Sequence, residues 1–193
     1  MSTIITLSII SIIISIIVIV VALIYCKKVE KYSPLQKHVK ETNERLIRSA
    51  NAVMKSLYER PYVESDRDYV LNIMSHFNID KLKSYRSQNK VGETINKGDE
   101  TFMCYKDKDG ILPDKILYIV LFHEMAHMGL RNSYQHPPQF WILMGKIVAR
   151  ALEMGIINLD DYPKETICRC NAPIISKDSI LDLLPNIEQE IVE

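Results

Sequence analysis

The chain has 193 residues, 24 of them basic and 24 acidic, for a formal net charge of zero. That length accommodates a membrane segment and one domain of ordinary size. The balanced charge lacks the basic excess of a nucleic-acid footprint, so no nucleic-acid partner is expected.

Ser2 to Cys26 contains no charged side chain, and Ile4 to Tyr25 is almost wholly Ile, Val, Leu and Ala. A helix of that length extends about 33 Å, enough for a hydrocarbon core of about 30 Å. A cleaved signal peptide would carry leading basic residues, a shorter apolar region and small residues at a cleavage site, none of which is present. Residues 1–26 are therefore expected to form a permanent transmembrane anchor that meets the lipid bilayer through residues 4–25. No Lys or Arg precedes the span, whereas Lys27, Lys28, Lys31, Lys37 and Lys40 follow it. The positive-inside tendency then puts the N-terminus outside and the folded domain in the cytosol.

Residues 27–34 read as a short basic connector ending at Ser33-Pro34, and 35–175 as the folded domain. Leu35 to Tyr58 has helical periodicity, with Val39, Leu46, Ala50, Val53, Met54 and Leu57 near one stripe. A second helix is expected over Ser65 to Phe77, with Val70, Ile73, Met74 and Phe77 inward. From Ser84 to Gly98 the chain is polar. Thr101 to Tyr105 has strand composition, and Asp109-Gly110 suits a tight turn. These strands form either a small structural hairpin or an edge that pairs with an extended peptide.

Leu112-Pro113-Asp114 signals a helix start, with Asp114 as the expected N-cap. The helix that follows is apolar on nearly every side from Ile116 to Phe122 and then reads His123-Glu124-Met125-Ala126-His127, closing at Gly129. Positions four apart share a helix face, so His123 and His127 can aim both imidazoles at one metal ion. Glu124 lies beside them, placed to take a proton from a metal-activated water; this is the H-E-x-x-H arrangement of zinc hydrolases. Histidine and glutamate in so apolar a setting need partners, because desolvating them alone is expensive. A core helix with two incidentally satisfied histidines is the competing reading.

Gly129 and Asn132 suit a helix end and a loop, and Pro137-Pro138 suits the first turn of a further helix reaching about Met154. Phe140, Met144, Ile147 and Ala151, joined by Trp141, Val148 and Leu152, form its core stripe. His136, at the mouth of this helix, is the expected third ligand, since a catalytic zinc keeps three protein ligands and one open position. Its alternatives are a loop residue or a cap. Glu153 is a fallback ligand, and His38 and His76 sit in polar helical contexts of no special note.

The stretch HEMAHMGLRNSYQHPPQFW (123–141) resembles the metal site of the WLM and SprT-like zinc metallopeptidases, in which HExxH is followed by a loop and then by a histidine with an aromatic four residues on. The flanks Asp107 to Gly110 and Gly155 to Tyr162, with Cys168, look like the membrane-anchored branch encoded by large DNA viruses. The resemblance covers roughly residues 84–175. It implies an α+β, mainly helical, zincin-like domain with a small β-hairpin or sheet, one catalytic Zn2+ held by His123, His127 and His136, and Glu124 as general base toward a protein or peptide substrate. It also implies a virion or host endomembrane as the location. The eight residues between His127 and His136 exceed the loop of the shorter members. Tyr134 and Tyr162 are the candidate oxyanion stabilisers.

Cys168-x-Cys170 can hold a second metal, pair with Cys104 or stay reduced. In a cytosolic domain free thiols are expected. Two further readings of the whole chain stand beside the peptidase: a catalytically silent zincin-fold module acting in assembly, and a DNA–protein crosslink protease. The tail, 176–193, is expected to hold one short helix over Lys177 to Leu184, docking Ile180, Leu181 and Leu184, before an acidic end.

Overall fold

A computed structural model describes residues 14, 16–18, 20, 21, 34–84, 90–96, 98–130, 135–170, 172–174 and 176–184. Chain contacts divide it into two units, Met1–Lys40 and Glu41–Glu193. In the first, Ile14, Ile16, Ile17, Val18, Val20 and Val21 are helical with exposed side chains. The rest of the expected anchor over residues 4–25, and the connector as far as Ser33, lie outside the described residues. Among the described residues no helix is long and apolar enough to cross a membrane.

Helix α1 (Pro34–Glu59) begins in the first unit, and its residues from Glu41 onward belong to the second. Leu46, Ala50, Val53, Met54 and Leu57 of the expected stripe are buried, joined by Ile47, whereas Val39 is only half-buried. The chain continues through α2 (Asp66–His76), β1 (Leu82–Ser84), β2 (Gly92–Ile95), β3 (Glu100–Met103), the β4–β5 hairpin (Lys106–Asp107 and Gly110–Ile111), α3 (Asp114–Gly129), α4 (Pro138–Glu153), the β6–β7 hairpin (Ile167–Arg169 and Ala172–Ile174) and α5 (Lys177–Leu183). The class is α+β and mainly helical.

Three strands make the largest sheet, in the order β1-β3-β2, with β1 parallel and β2 antiparallel to β3. Thr101 and Met103 of β3 face inward and are buried, the period-two alternation of a half-covered strand. β2 forms an edge, and it lies in the stretch whose polar composition conceals it.

Helix α3 is apolar all round because it is packed all round, by α2, α4, β2 and β3. Ile116, Leu117, Ile119, Val120, Leu121 and Phe122 are all buried. Asp114 is the first helical residue rather than the cap; Pro113 takes the cap position with extended backbone. The Asp114 carboxylate instead accepts Arg45 Nε at 2.7 Å and Nη2 at 3.1 Å, and its charge at the helix N-terminus suits the macrodipole.

Helix α4 buries two unlike faces. Phe140, Leu143, Met144, Ile147, Val148 and Ala151 meet the apolar core, whereas Trp141 is 37% exposed. On the other side Lys146 Nζ lies 2.7 Å from Asp66 Oδ1, both side chains almost wholly buried. One turn on, Arg150 donates to the carbonyls of Ser56 (3.1 Å) and Arg60 (2.8 Å) and to Ser56 Oγ (3.0 Å). These charges tie α4 to the α1–α2 connection; a buried pair is costly to break by removing one partner. In α5, Ile180 and Leu183 are buried, while Leu181, expected to dock, is 40% exposed.

The cysteines depart from the expected free thiols. Cys104, just past β3, and Cys170, at the tip of the β6–β7 hairpin, form a disulfide, leaving Cys168 free and exposed. Asp107 draws the two segments together: it accepts Arg169 Nε (2.6 Å), Arg169 Nη2 (2.9 Å), the Cys170 amide (3.0 Å) and the Asp109 amide (2.9 Å). The Arg169 hydrogen bonds hold the Asp107 carboxyl well below the usual carboxylate range. Because the disulfide closes a loop of 66 residues, Cys104→Ser with Cys170→Ser is expected to lower unfolding stability by about 2–4 kcal/mol in urea titrations. A midpoint unchanged from wild type would show that the bridge does not constrain the chain.

Candidate metal centre

The HExxH turn lies at the C-terminal end of α3, and His136 sits two residues before α4 begins. Backbone geometry brings them together. Pro137 is extended and Pro138 opens α4 with its φ already helical, so the chain arrives at α4 directed across the end of α3. Gly129 allows the close approach this requires: a Cβ there would lie 2.6 Å from Leu143 Cδ2 of α4.

His123, His127 and His136 offer nitrogen atoms that all lie within 4.8 Å of one another. His136 Nε2 is 3.1 Å from His123 Nε2. Tetrahedral ligation at about 2.1 Å places neighbouring nitrogens about 3.4 Å apart. The His123–His136 pair is close to that spacing. All three imidazoles pack on one side chain, Phe140, with ring centroids 4.9, 4.5 and 4.5 Å from it for His123, His127 and His136. Trp141 stacks on the outer face of His136 at 5.3 Å and 29°.

The donors are in the form a metal requires. Burial, then the neighbouring His127 and His136 rings, lower the His123 pKa from 6.5 to about 3. Burial and then His136 lower His127 to about 4, and burial lowers His136 as well. Near pH 7 all three rings are neutral, so each has one nitrogen lone pair that can turn to a cation. The residues therefore fit a divalent metal with a three-nitrogen set.

Glu124 is 4% exposed and lies under β2. A Cβ on Gly92 would fall 2.7 Å from Glu124 Oε1 and 2.7 Å from Val120 Cγ1, so only glycine leaves room for the carboxylate beneath the strand. Burial is the largest influence and pushes the Glu124 carboxyl up to about 7. The Glu93 charge adds to the rise, while the nearby Thr94 and the charge of Lys90 oppose it. A cleft of about 580 Å3 opens over this turn, lined at its metal end by Gly92, His123, Glu124 and His136.

The remaining candidates fall elsewhere. Glu153 accepts the Tyr62 hydroxyl at 2.7 Å and pairs with Arg150 Nε at 3.0 Å, so it is committed far along α4 from the triad. Tyr162 donates its hydroxyl to the Lys115 carbonyl at 2.8 Å, at the opposite end of α3 from His127, and is not brought to the cleft. Tyr134 lies outside the described residues. Sequence reasoning missed Gly92 and Thr94; a glycine ahead of a Thr in a polar stretch carries no signal until β2 is known to cross α3. No family model, curated protein or solved structure matches this chain.

The pKa directions set an acid limit for the metal-free protein. The histidines are depressed from 6.5, so below that value the unfolded chain takes up protons that the folded chain refuses, and stability falls with pH. Glu124, raised from 4.5 to about 7, works the other way across the same window, but one carboxyl opposes at least two rings. Metal-free protein is thus expected to lose thermal stability as pH drops from about 6.5 to 4.5, with Glu124→Gln steepening the loss. A flat profile between those values would mean that the rings are solvated.

Proposed function

We propose that the chain is a membrane-anchored, zinc-dependent metallopeptidase of zincin-like architecture, akin to the WLM and SprT-like enzymes. The observation that carries this reading is the convergence of His123, His127 and His136 with a buried Glu124 beside them. Three neutral imidazoles with an open side on the cleft suit zinc above harder cations. A divalent cation held there supplies Lewis acidity, polarising a carbonyl and acidifying water.

The protein's own groups account for the remaining chemistry. Glu124, buried beside the histidines, would take a proton from the attacking water and return it to the departing amine. Gly92 lets that carboxylate lie against the strand. β2 supports a role in substrate alignment: it is an edge of its sheet, and Lys90, Val91 and Gly92 line the cleft, so an extended peptide can add to it by main-chain hydrogen bonds.

The anchor, residues 4–25, is part of the proposal. Its lysine flank argues for a cytosolic domain, whereas a structural disulfide belongs to an oxidising compartment. The disulfide is the more direct of the two arguments and favours a domain facing a lumen or the exterior.

Glu124→Gln is expected to retain stoichiometric zinc and to lower cleavage of an unfolded protein substrate by at least about 100-fold. Cleavage at the wild-type rate by that variant would remove Glu124 as the base.

A further inference from the structure

We propose that Trp141 is a positioning residue of the metal centre: stacked on the outer face of His136, its indole holds that ring in the orientation that presents Nε2 to the cation. The inference rests on the metal centre within the reading above, not on what the protein cleaves.

The three imidazoles are not equally constrained. His123 and His127 sit on α3, where the helical backbone limits their rotamers. His136 lies outside any helix, two residues ahead of α4, and is the exposed member of the triad. A ring on such a segment turns about its side-chain torsions unless something holds it. In most metal sites a carboxylate or a backbone carbonyl does so, by accepting a hydrogen bond from the ring nitrogen that faces away from the metal. Among the described residues no such acceptor meets His136. Its hydrogen-bond contact is with Nε2 of His123, on the side that faces the triad.

Aromatic packing takes the place of that acceptor. Consecutive helical residues diverge by about 100°, so Phe140 and Trp141, in the first turn of α4, approach His136 from two directions. Phe140 meets it edge to face, with centroids 4.5 Å apart and 73° between the planes, whereas Trp141 lies more nearly parallel to it at 5.3 Å and 29°. The two aromatic rings brace each other at 5.0 Å and 88°. Between His136 and this pair stand Pro137 and Pro138, whose pyrrolidine rings fix φ and hence the approach of the histidine. Burial alone does not explain a tryptophan here: its indole is 37% exposed at the cleft, where Phe140, Leu143 and Met144 of the same helix are buried. The stack also favours the loaded site. An imidazole that gives its lone pair to a divalent cation becomes electron-poor, and an indole face is the best partner a side chain offers to such a ring.

Zinc release tests the assignment. Zinc-loaded full chain in detergent is mixed with an excess of a colorimetric chelator, and the rate of metal loss is followed. Trp141→Leu, which stays apolar but has no aromatic face, is expected to release zinc at least about fivefold faster than wild type, and Trp141→Phe to stay within about twofold of it. In a His136→Ala background Trp141→Leu is expected to add nothing, because the indole acts through that ring. A side chain that only supported α4 would speed release in both backgrounds. The chain has one tryptophan, so wild-type protein supplies a second readout that needs no change at that position. Zinc is expected to quench its fluorescence, and His136→Ala to abolish the response. Wild-type release by Trp141→Leu, equal acceleration in the His136→Ala background, or an indole emission that ignores zinc overturns the positioning role. A wild-type chain that binds no zinc overturns it together with the metal centre. Zinc held and released as expected by a chain that cleaves no protein keeps the positioning role and ends the peptidase reading.

Discussion

Three imidazole rings rest on one phenylalanine, and most of the architecture serves to keep them there. Phe140 is fully buried in the first turn of α4, with centroids of His123, His127 and His136 all within 5 Å. Two of those rings come from α3 and one from the segment entering α4, so the cluster exists only while the two helices are packed closely. The Gly129 contact with Leu143 permits that approach, and the apolar wrapping of α3 fixes its rotation. The same burial that makes the rings poor bases keeps their lone pairs available, so packing and ligand chemistry have one cause.

The opposite wall is fastened differently. Where the helices rely on close packing, the β6–β7 hairpin relies on a bidentate arginine–carboxylate pair and a covalent bridge. Its two strands have three residues each. A hairpin that small is marginal in water without further ties. Asp107 supplies them by accepting three hydrogen bonds from the hairpin, two from Arg169 and one from the Cys170 amide, and Pro173 of that hairpin lines the cleft.

Much of this could be read from the residues, because the signals involved are local. His123, Glu124 and His127 announce themselves by spacing, and His136 by its position ahead of Pro137-Pro138 and Phe140. The helices over 34–59, 66–76, 114–129 and 138–153 lie within a residue or two of their predicted limits. What escaped depends on partners distant in sequence. β2 reads as polar loop because Glu93 and Thr94 become strand only through pairing with Phe102 and Thr101. Lys146 and Arg150 look like solvent-facing charges on α4 until Asp66 and the carbonyls of Ser56 and Arg60 are placed against them. The disulfide is one of the alternatives the sequence leaves open, disfavoured there by an assumed compartment, and the Asp107–Arg169 contact that accompanies it is one no spacing rule reveals. Tyr162, expected as a candidate oxyanion stabiliser, is tied to the far end of α3 by its bond to Lys115.

The account stands or falls on a single cation shared by the three rings. Metal analysis of the purified full chain, in parallel with His136→Ala, tests it most directly. One equivalent of zinc per wild-type chain and at least about tenfold weaker retention in the variant is the expected result. Equal zinc content in both proteins, or none in a folded wild-type chain, would contradict the shared site.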